Sequence, residues 1–250
     1  MHAFFYPPAN SHFRGHDDDL PLVIAICHGG PTGATQSSLN LKIQYWTNRG
    51  FAVVDINYRG STGFGRHYRQ GLVGAWGLAD VEDTQYAIRY LASLGQIDPE
   101  RCIIRGGSAG GYTVLSALTF TDTFKAGASL YGIGDLETLA KDTHKFESRY
   151  LDSLIGPYPE RKDIYIERSP INHIDGLNCP VIFLQGLEDK VVPPNQAEMM
   201  VNLLQSKGIK VAHVTFDDEG HGFRKADNII RAMESELHFY QDVFNLTEAN

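Results

Sequence analysis

The sequence predicts an α/β fold: a doubly wound, mostly parallel sheet with a helical insertion near residues 135–170. Three features of the chain carry that expectation. Short β-rich runs alternate with longer segments of helical period. The runs are apolar throughout, as strands covered on both faces require. Glycines fall where helical segments give way to the next run.

In chain order, Leu22–Cys27 is an unbroken apolar run and reads as a strand, followed by a helical pattern over Gln36–Arg49 that stops at Asn48-Arg49-Gly50. Phe51–Ile56 is the next strand, and Asp80–Leu94 the next helix. Cys102–Arg105 runs into a glycine cluster from which the helix Gly110–Phe120 emerges, and Ala126–Tyr131 follows as a strand. Residues 135–170 then break the alternation with short amphipathic pieces, including Lys145–Leu154, placed over the sheet's ligand-binding edge. Asn178-Cys179-Pro180 restarts a strand at Val181–Gln185. The helix Asn195–Lys207 stops at Gly208 ahead of the strand Val211–Phe216, and Lys225–Val243 is the last helix. Pro7–Pro21 is a polar loop, no internal repeat is visible, and residues 1–250 read as a single domain.

A chain of 250 residues can bury about 70 to 75% of its unfolded surface, so neither disulfides nor metal are required to hold it together. Its net charge of −8 disfavours nucleic acid or an anionic membrane as the main partner. The longest apolar stretch, Leu22–Cys27, is far below the roughly 18 residues of a membrane span. The first residues lack the pattern of a secretory signal, and three cysteines, Cys27, Cys102 and Cys179, sit in or beside apolar runs. Buried free thiols in a reducing, cytoplasmic compartment are the expectation.

Gly106-Gly107-Ser108-Ala109-Gly110 contains Gly-x-Ser-x-Gly at a strand-to-helix junction. A sharp turn there strains the serine and lets helix and strand approach closely only if its neighbours lack side chains. A serine hydroxyl needs a base, and the base needs an orienting carboxylate. Past the strand Val181–Gln185 come Glu188 and Asp189, of which Asp189 is preferred and Glu188 is the alternative. After the last strand, Gly220-His221-Gly222 places a histidine at the same edge, so the order Ser108, Asp189, His221 is that of an α/β-hydrolase. Cys27-His28-Gly29-Gly30-Pro31 supplies glycines whose N–H groups could face an oxyanion, with Ala109 as the second donor.

His28-Gly29-Gly30-Pro31, Asn57-Tyr58-Arg59-Gly60-Ser61-Thr62-Gly63-Phe64-Gly65, Gly107-Ser108-Ala109-Gly110-Gly111-Tyr112, Ser169-Pro170-Ile171-Asn172 and Gly220-His221-Gly222-Phe223 together resemble the catalytic domain of the prolyl oligopeptidase family of serine peptidases, in its acylaminoacyl-peptidase-like branch. The resemblance runs from about Ala3 to Val243. It implies Ser108 as nucleophile, His221 as base and Asp189 as its acid, with the backbone N–H groups of Gly30 and Ala109 as the oxyanion hole. His28 stands where the dipeptidyl-peptidase branch carries a tyrosine donor, so no tyrosine donor is carried over. Asp80 and Asp83 match a feature of the family that reads as structural. Relatives precede this domain with a β-propeller, which at roughly 40 to 50 residues per blade does not fit in this chain. The chain also opens inside what reads as a strand, His2–Tyr6, and the expectation is a fragment or a naturally trimmed relative.

The leading expectation is therefore a serine hydrolase that cleaves short peptides or releases acylated amino-terminal residues through an acyl-enzyme. A carboxylesterase for small esters is the nearest alternative, and a non-catalytic binding module that keeps the fold is the third. His28, Tyr112, Tyr131, Phe146 and Tyr150 are candidates for the substrate pocket, though aromatic residues are more often core. No cofactor is implied. A metal set at His12, His16 and Asp17-Asp18-Asp19 is the weaker interpretation of a solvated acidic turn, so no metal is assigned. Oligomeric state is left open, a homo-oligomer included.

Overall fold

A computed structural model describes residues 1–13, 15, 19–142 and 149–246. The apolar runs become β2 (Val23–Cys27), β3 (Ala52–Asn57), β4 (Cys102–Gly107), β5 (Ala126–Leu130), β6 (Val181–Gly186) and β7 (Val211–Phe216), with β1 (His2–Tyr6) ahead of them. They form one seven-stranded sheet in the order β1-β3-β2-β4-β5-β6-β7, parallel except for β1, which runs antiparallel to β3.

Side chains alternate between the two faces of the sheet and build two cores. Val23, Ala25, Ala52, Val54, Cys102, Ile104, Val181 and Phe183 point to one. Helices α3 (Ala79–Ser93), α4 (Ala109–Phe120) and α8 (Asn195–Ser206) cover that face with Ile88, Leu91, Val114, Leu118, Met200 and Leu204. Ile24, Val53, Ile103, Ile182 and Leu184 point to the other, beneath α1 (Leu41–Thr47) and α9 (Ala226–Phe244), which contribute Ile43, Trp46, Met233, Phe239 and Tyr240. The strand order reverses between β2 and β4, and a crevice outside the carboxyl ends of strands at such a point is where open α/β sheets bind ligands. His28 follows β2 and Ser108 follows β4, so both lie at that crevice. The sheet, its two helical layers and the strand-to-helix serine turn together make an α/β-hydrolase fold.

Some boundaries depart from expectation. Helix α1 begins at Leu41, not Gln36, because the Asn40 side chain accepts from the Lys42 N–H and caps it there. A helix unmarked in the sequence, α2 (Gly65–Gln70), buries none of its residues and so had no apolar stripe to betray it. The expected insertion is built from α5 (Leu136–Asp142), α6 (Tyr150–Leu154) and α7 (Lys162–Glu167), followed by a 3-10 segment at Pro170–Gly176. Of the piece expected at Lys145–Leu154, residues 145–148 lie outside the described residues. The glycine stops at Gly50 and Gly208 take positive φ, 86° and 77°, as the helix ends require.

Candidate active site

Strand β4 passes into α4 with Ser108 alone at the corner, at φ 56° and ψ −123°. That backbone region is sparsely populated for a residue with a side chain, and the surroundings hold it there. The Ser108 N–H donates to Leu130 O at 3.0 Å, and its carbonyl accepts from the Tyr112 N–H at 3.1 Å. A Cβ on Gly106 would fall 2.4 Å from Gly110 O, and one on Gly110 would fall 2.2 Å from Cys27 O. Both contacts are with backbone that cannot move aside, so these two positions admit only glycine. The strain at Ser108 and the bare flanks are two sides of one device that lifts the hydroxyl above the sheet edge.

His221 reaches Ser108 from the loop after β7. Its Nε2 lies 2.8 Å from Ser108 Oγ, and its Nδ1 lies 2.8 Å from Asp189 Oδ2. With Nδ1 protonated toward the carboxylate, Nε2 is free to accept the serine proton. Asp189 is buried, and its other oxygen accepts the N–H groups of Val191 and Val192 at 2.8 and 2.9 Å. Glu188, the alternative acid, is exposed and does not meet His221 among the described residues.

The loop carrying His221 is itself tied down. Gly220 and Gly222 bridge across it, and Glu219 accepts the N–H groups of Arg224 and Lys225 and the Asn228 amide. Burial would raise the Glu219 carboxyl, but Asn228 and the two backbone amides outweigh it and hold the group below its ordinary value. Tyr131, at φ 40°, sets its ring edge-on to His221 at 4.9 Å and to Phe223 at 5.5 Å, and packs over Gly107. Among the described residues it is the aromatic candidate in ring contact with the histidine.

The loop after β2 lies directly on the serine corner: a Cβ on Gly29 would meet Gly107 O at 3.2 Å and Ser108 Cβ at 3.6 Å. Gly30 takes φ 123°, open to glycine but not to residues with side chains. Ala109 is the first residue of α4, where a backbone N–H has no intrahelical acceptor. His28 stacks on Tyr58 at 4.3 Å, donates from Nδ1 to Gly29 O at 2.8 Å and places Nε2 2.7 Å from the Ser61 hydroxyl. Burial holds its imidazole below the ordinary value, although Gly29 O pulls the other way. Both ring nitrogens are engaged within the protein, so His28 shapes the loop rather than offering a free donor. Tyr58 adds a hydroxyl bond to His28 O at 2.8 Å. The Asn57-Tyr58-Arg59-Gly60-Ser61 motif was visible in the sequence, but no periodicity or spacing says that its tyrosine and serine brace His28.

Tyr112 is in the core, not at a substrate pocket: it is fully buried against Trp76, and its hydroxyl donates to Arg168 O at 3.0 Å. Four residues past the serine, its side chain turns down the inner face of α4. Phe146 lies outside the described residues. Tyr150, at the start of α6, joins its hydroxyl to that of Thr32 at 2.7 Å and so ties the insertion to the glycine loop. Of the acidic turn, His16, Asp17 and Asp18 also lie outside the described residues.

Asp80 and Asp83 anchor the underside of the site. Asp80 Oδ1 accepts the Gly77 N–H and Oδ2 accepts the Thr113 hydroxyl on the serine's own helix, while Asp83 accepts the Arg59 N–H and guanidinium.

A dipeptidyl aminopeptidase BIII of Pseudoxanthomonas mexicana is 34% identical over 218 residues, 85% of this chain and 32% of that protein. The structure of a puromycin-hydrolyzing peptidase of Mycobacterium tuberculosis superposes with a TM-score of 0.95 at 48% identity, covering 96% of this chain and 37% of that one. An acylaminoacyl peptidase of Pyrococcus horikoshii superposes at 0.88 with 26% identity, covering 99% and 40%. The chain thus spans about a third of the length of the curated relatives it matches. Residues 37–247 match the prolyl oligopeptidase family, and to that family the chain belongs.

Proposed function

We propose that this chain is the catalytic part of a serine peptidase acting on short peptides, releasing an amino-terminal or acylated amino-terminal residue through an acyl-enzyme. The observation that carries the proposal is the unbroken line from Ser108 Oγ to His221 Nε2, 2.8 Å, and from His221 Nδ1 to buried Asp189, 2.8 Å.

In this mechanism Ser108 attacks the scissile carbonyl as His221 Nε2 takes its proton, and Asp189 stabilises the imidazolium so formed. The N–H groups of Gly30 and Ala109 receive the developing oxyanion. His221 then gives the proton to the leaving amine, and water, activated by the same nitrogen, releases the acyl group. Relatives with acylamino-acid-releasing and dipeptidyl aminopeptidase names support the substrate class. Three free thiols fit a reducing, cytoplasmic setting, with burial pushing Cys27 and Cys102 up to about 12 and so keeping them inert there.

The test compares kcat/KM for an acyl-amino-acid anilide with that for a nitrophenyl ester, each with Ser108→Ala beside wild type. Turnover of both substrates is expected to fall about a millionfold in the variant. Near-wild-type hydrolysis by Ser108→Ala would overturn the assignment, and hydrolysis of the ester alone would replace peptidase by esterase.

A further inference from the structure

Behind the His221 loop, on the α1 and α9 side of the sheet, lies a cleft of about 180 Å³ lined by Lys42, Arg105, Tyr131, Gly222, Arg224 and Met233 among others. Three of its lining residues are cations, and among the described residues only Arg105 is in an ion pair. Arg105, nearly buried, bonds Glu236 through Nε at 2.7 Å and Nη2 at 3.0 Å. Its Nη1 has no hydrogen-bond partner among the described residues, and neither the Lys42 ammonium nor the Arg224 guanidinium forms an ion pair among them. Asp55, itself buried and bonded to Thr35, is also in electrostatic reach of Arg105. Loss of solvent and the nearby Arg105 charge both lower the Lys42 ammonium, while Glu236 offsets them in part. Cations that crowd one partly enclosed space repel one another more strongly than they would in water, and an anion between them relieves that repulsion. A guanidinium with spare N–H groups, beside an ammonium, is the chemistry that recognises carboxylate and phosphate.

We propose that this cleft binds a small oxyanion, a carboxylate or a phosphate, held between Lys42, Arg105 and Arg224. Tyr131 is the shared wall: its ring lines the cleft and also meets His221 edge-on at 4.9 Å. An occupant therefore sits against the residue that packs on the catalytic loop. The anion is either a free ion or the carboxyl end of a peptide substrate, and the experiment below distinguishes the two.

The experiment is calorimetric titration of the full chain with inorganic phosphate at low ionic strength. Lys42→Gln and Arg224→Gln are the variants, because both residues are exposed, whereas removing Arg105 would leave the Glu236 carboxylate buried and unpaired. Binding in the millimolar range is expected, weakened about tenfold by each substitution. Absence of binding at about 20 mM phosphate, or binding that both substitutions leave unchanged, would overturn the proposal. KM for a short peptide, measured with its carboxyl end free and again as the amide, identifies the source. A preference for the free acid that disappears in the double variant supports the site with substrate as its occupant. Equal KM values alongside substitution-sensitive phosphate binding support it with a free ion. The phosphate titration does not depend on turnover, so its failure is distinguishable from failure of the peptidase assignment.

Discussion

Replacing Asp80 by Asn removes a titrating group bonded to the helix that follows Ser108 while keeping its shape. Asp80 is fully buried in the first turn of α3, and burial pushes its carboxyl from the ordinary 3.8 up to about 6, against the pull of its bonds to Thr113 and Gly77. Between those two values the folded chain holds a proton that the unfolded chain has released, so stability falls as pH rises through the window. Above about pH 6 the penalty is fully present. A gap of about 2 between the folded and unfolded values corresponds to about 3 kcal/mol, of which about 2 to 3 kcal/mol develops between about pH 4 and pH 7. Asn keeps an acceptor for the Gly77 N–H and presents an amide to Thr113, whose hydroxyl can give its proton to Ala109 O at 3.2 Å instead. The assay is urea unfolding of both proteins across that pH range, taking the difference in unfolding free energy so that all other titrating groups cancel. Relative to wild type, Asp80→Asn is expected to gain about 2 to 3 kcal/mol as pH rises from about 4 to 7. A difference that stays flat, or that turns against Asn at higher pH, would refute the reasoning, since it would mean that the ionised carboxylate is not penalised by the fold.

Two further substitutions probe the frame of the site. Gly110→Ala would set a Cβ 2.2 Å from Cys27 O, a backbone atom, so it should exceed the about 1 to 3 kcal/mol typical of overpacking and lower the urea midpoint or abolish soluble folding; an unchanged midpoint would contradict the close approach of α4 and β2. Glu236→Gln strips the counter-charge from nearly buried Arg105 and is expected to destabilise the fold by about 3 to 5 kcal/mol, read from the same denaturation curves, with a loss below about 1 kcal/mol counting against the ion pair.

Most of the sheet was legible because strands covered on both faces leave unbroken apolar runs, as Leu22–Cys27 and Val181–Gln185 do. The serine, its histidine and the acid were legible for a different reason. Each sits just past a strand, and the bare glycines around Ser108 are forced by backbone contacts that follow from the turn itself. What stayed hidden depends on distance in space rather than along the chain. Arg105 and Glu236 are far apart in sequence, and neither sits in a pattern that announces a pair. Tyr112 shows the limit of an aromatic beside a motif, since nothing local tells whether the ring faces a pocket or Trp76. Helix α2 left no apolar stripe, and the start of α1 was decided by one cap at Asn40 rather than by the helical pattern that precedes it.

The central claim, that Ser108 is a nucleophile driven by His221, is met most directly by mass spectrometry of the protein after brief exposure to a fluorophosphonate. A single adduct on Ser108 is predicted, absent in Ser108→Ala and formed far more slowly in His221→Ala. No adduct on the wild-type protein, or one that persists in Ser108→Ala, would contradict it.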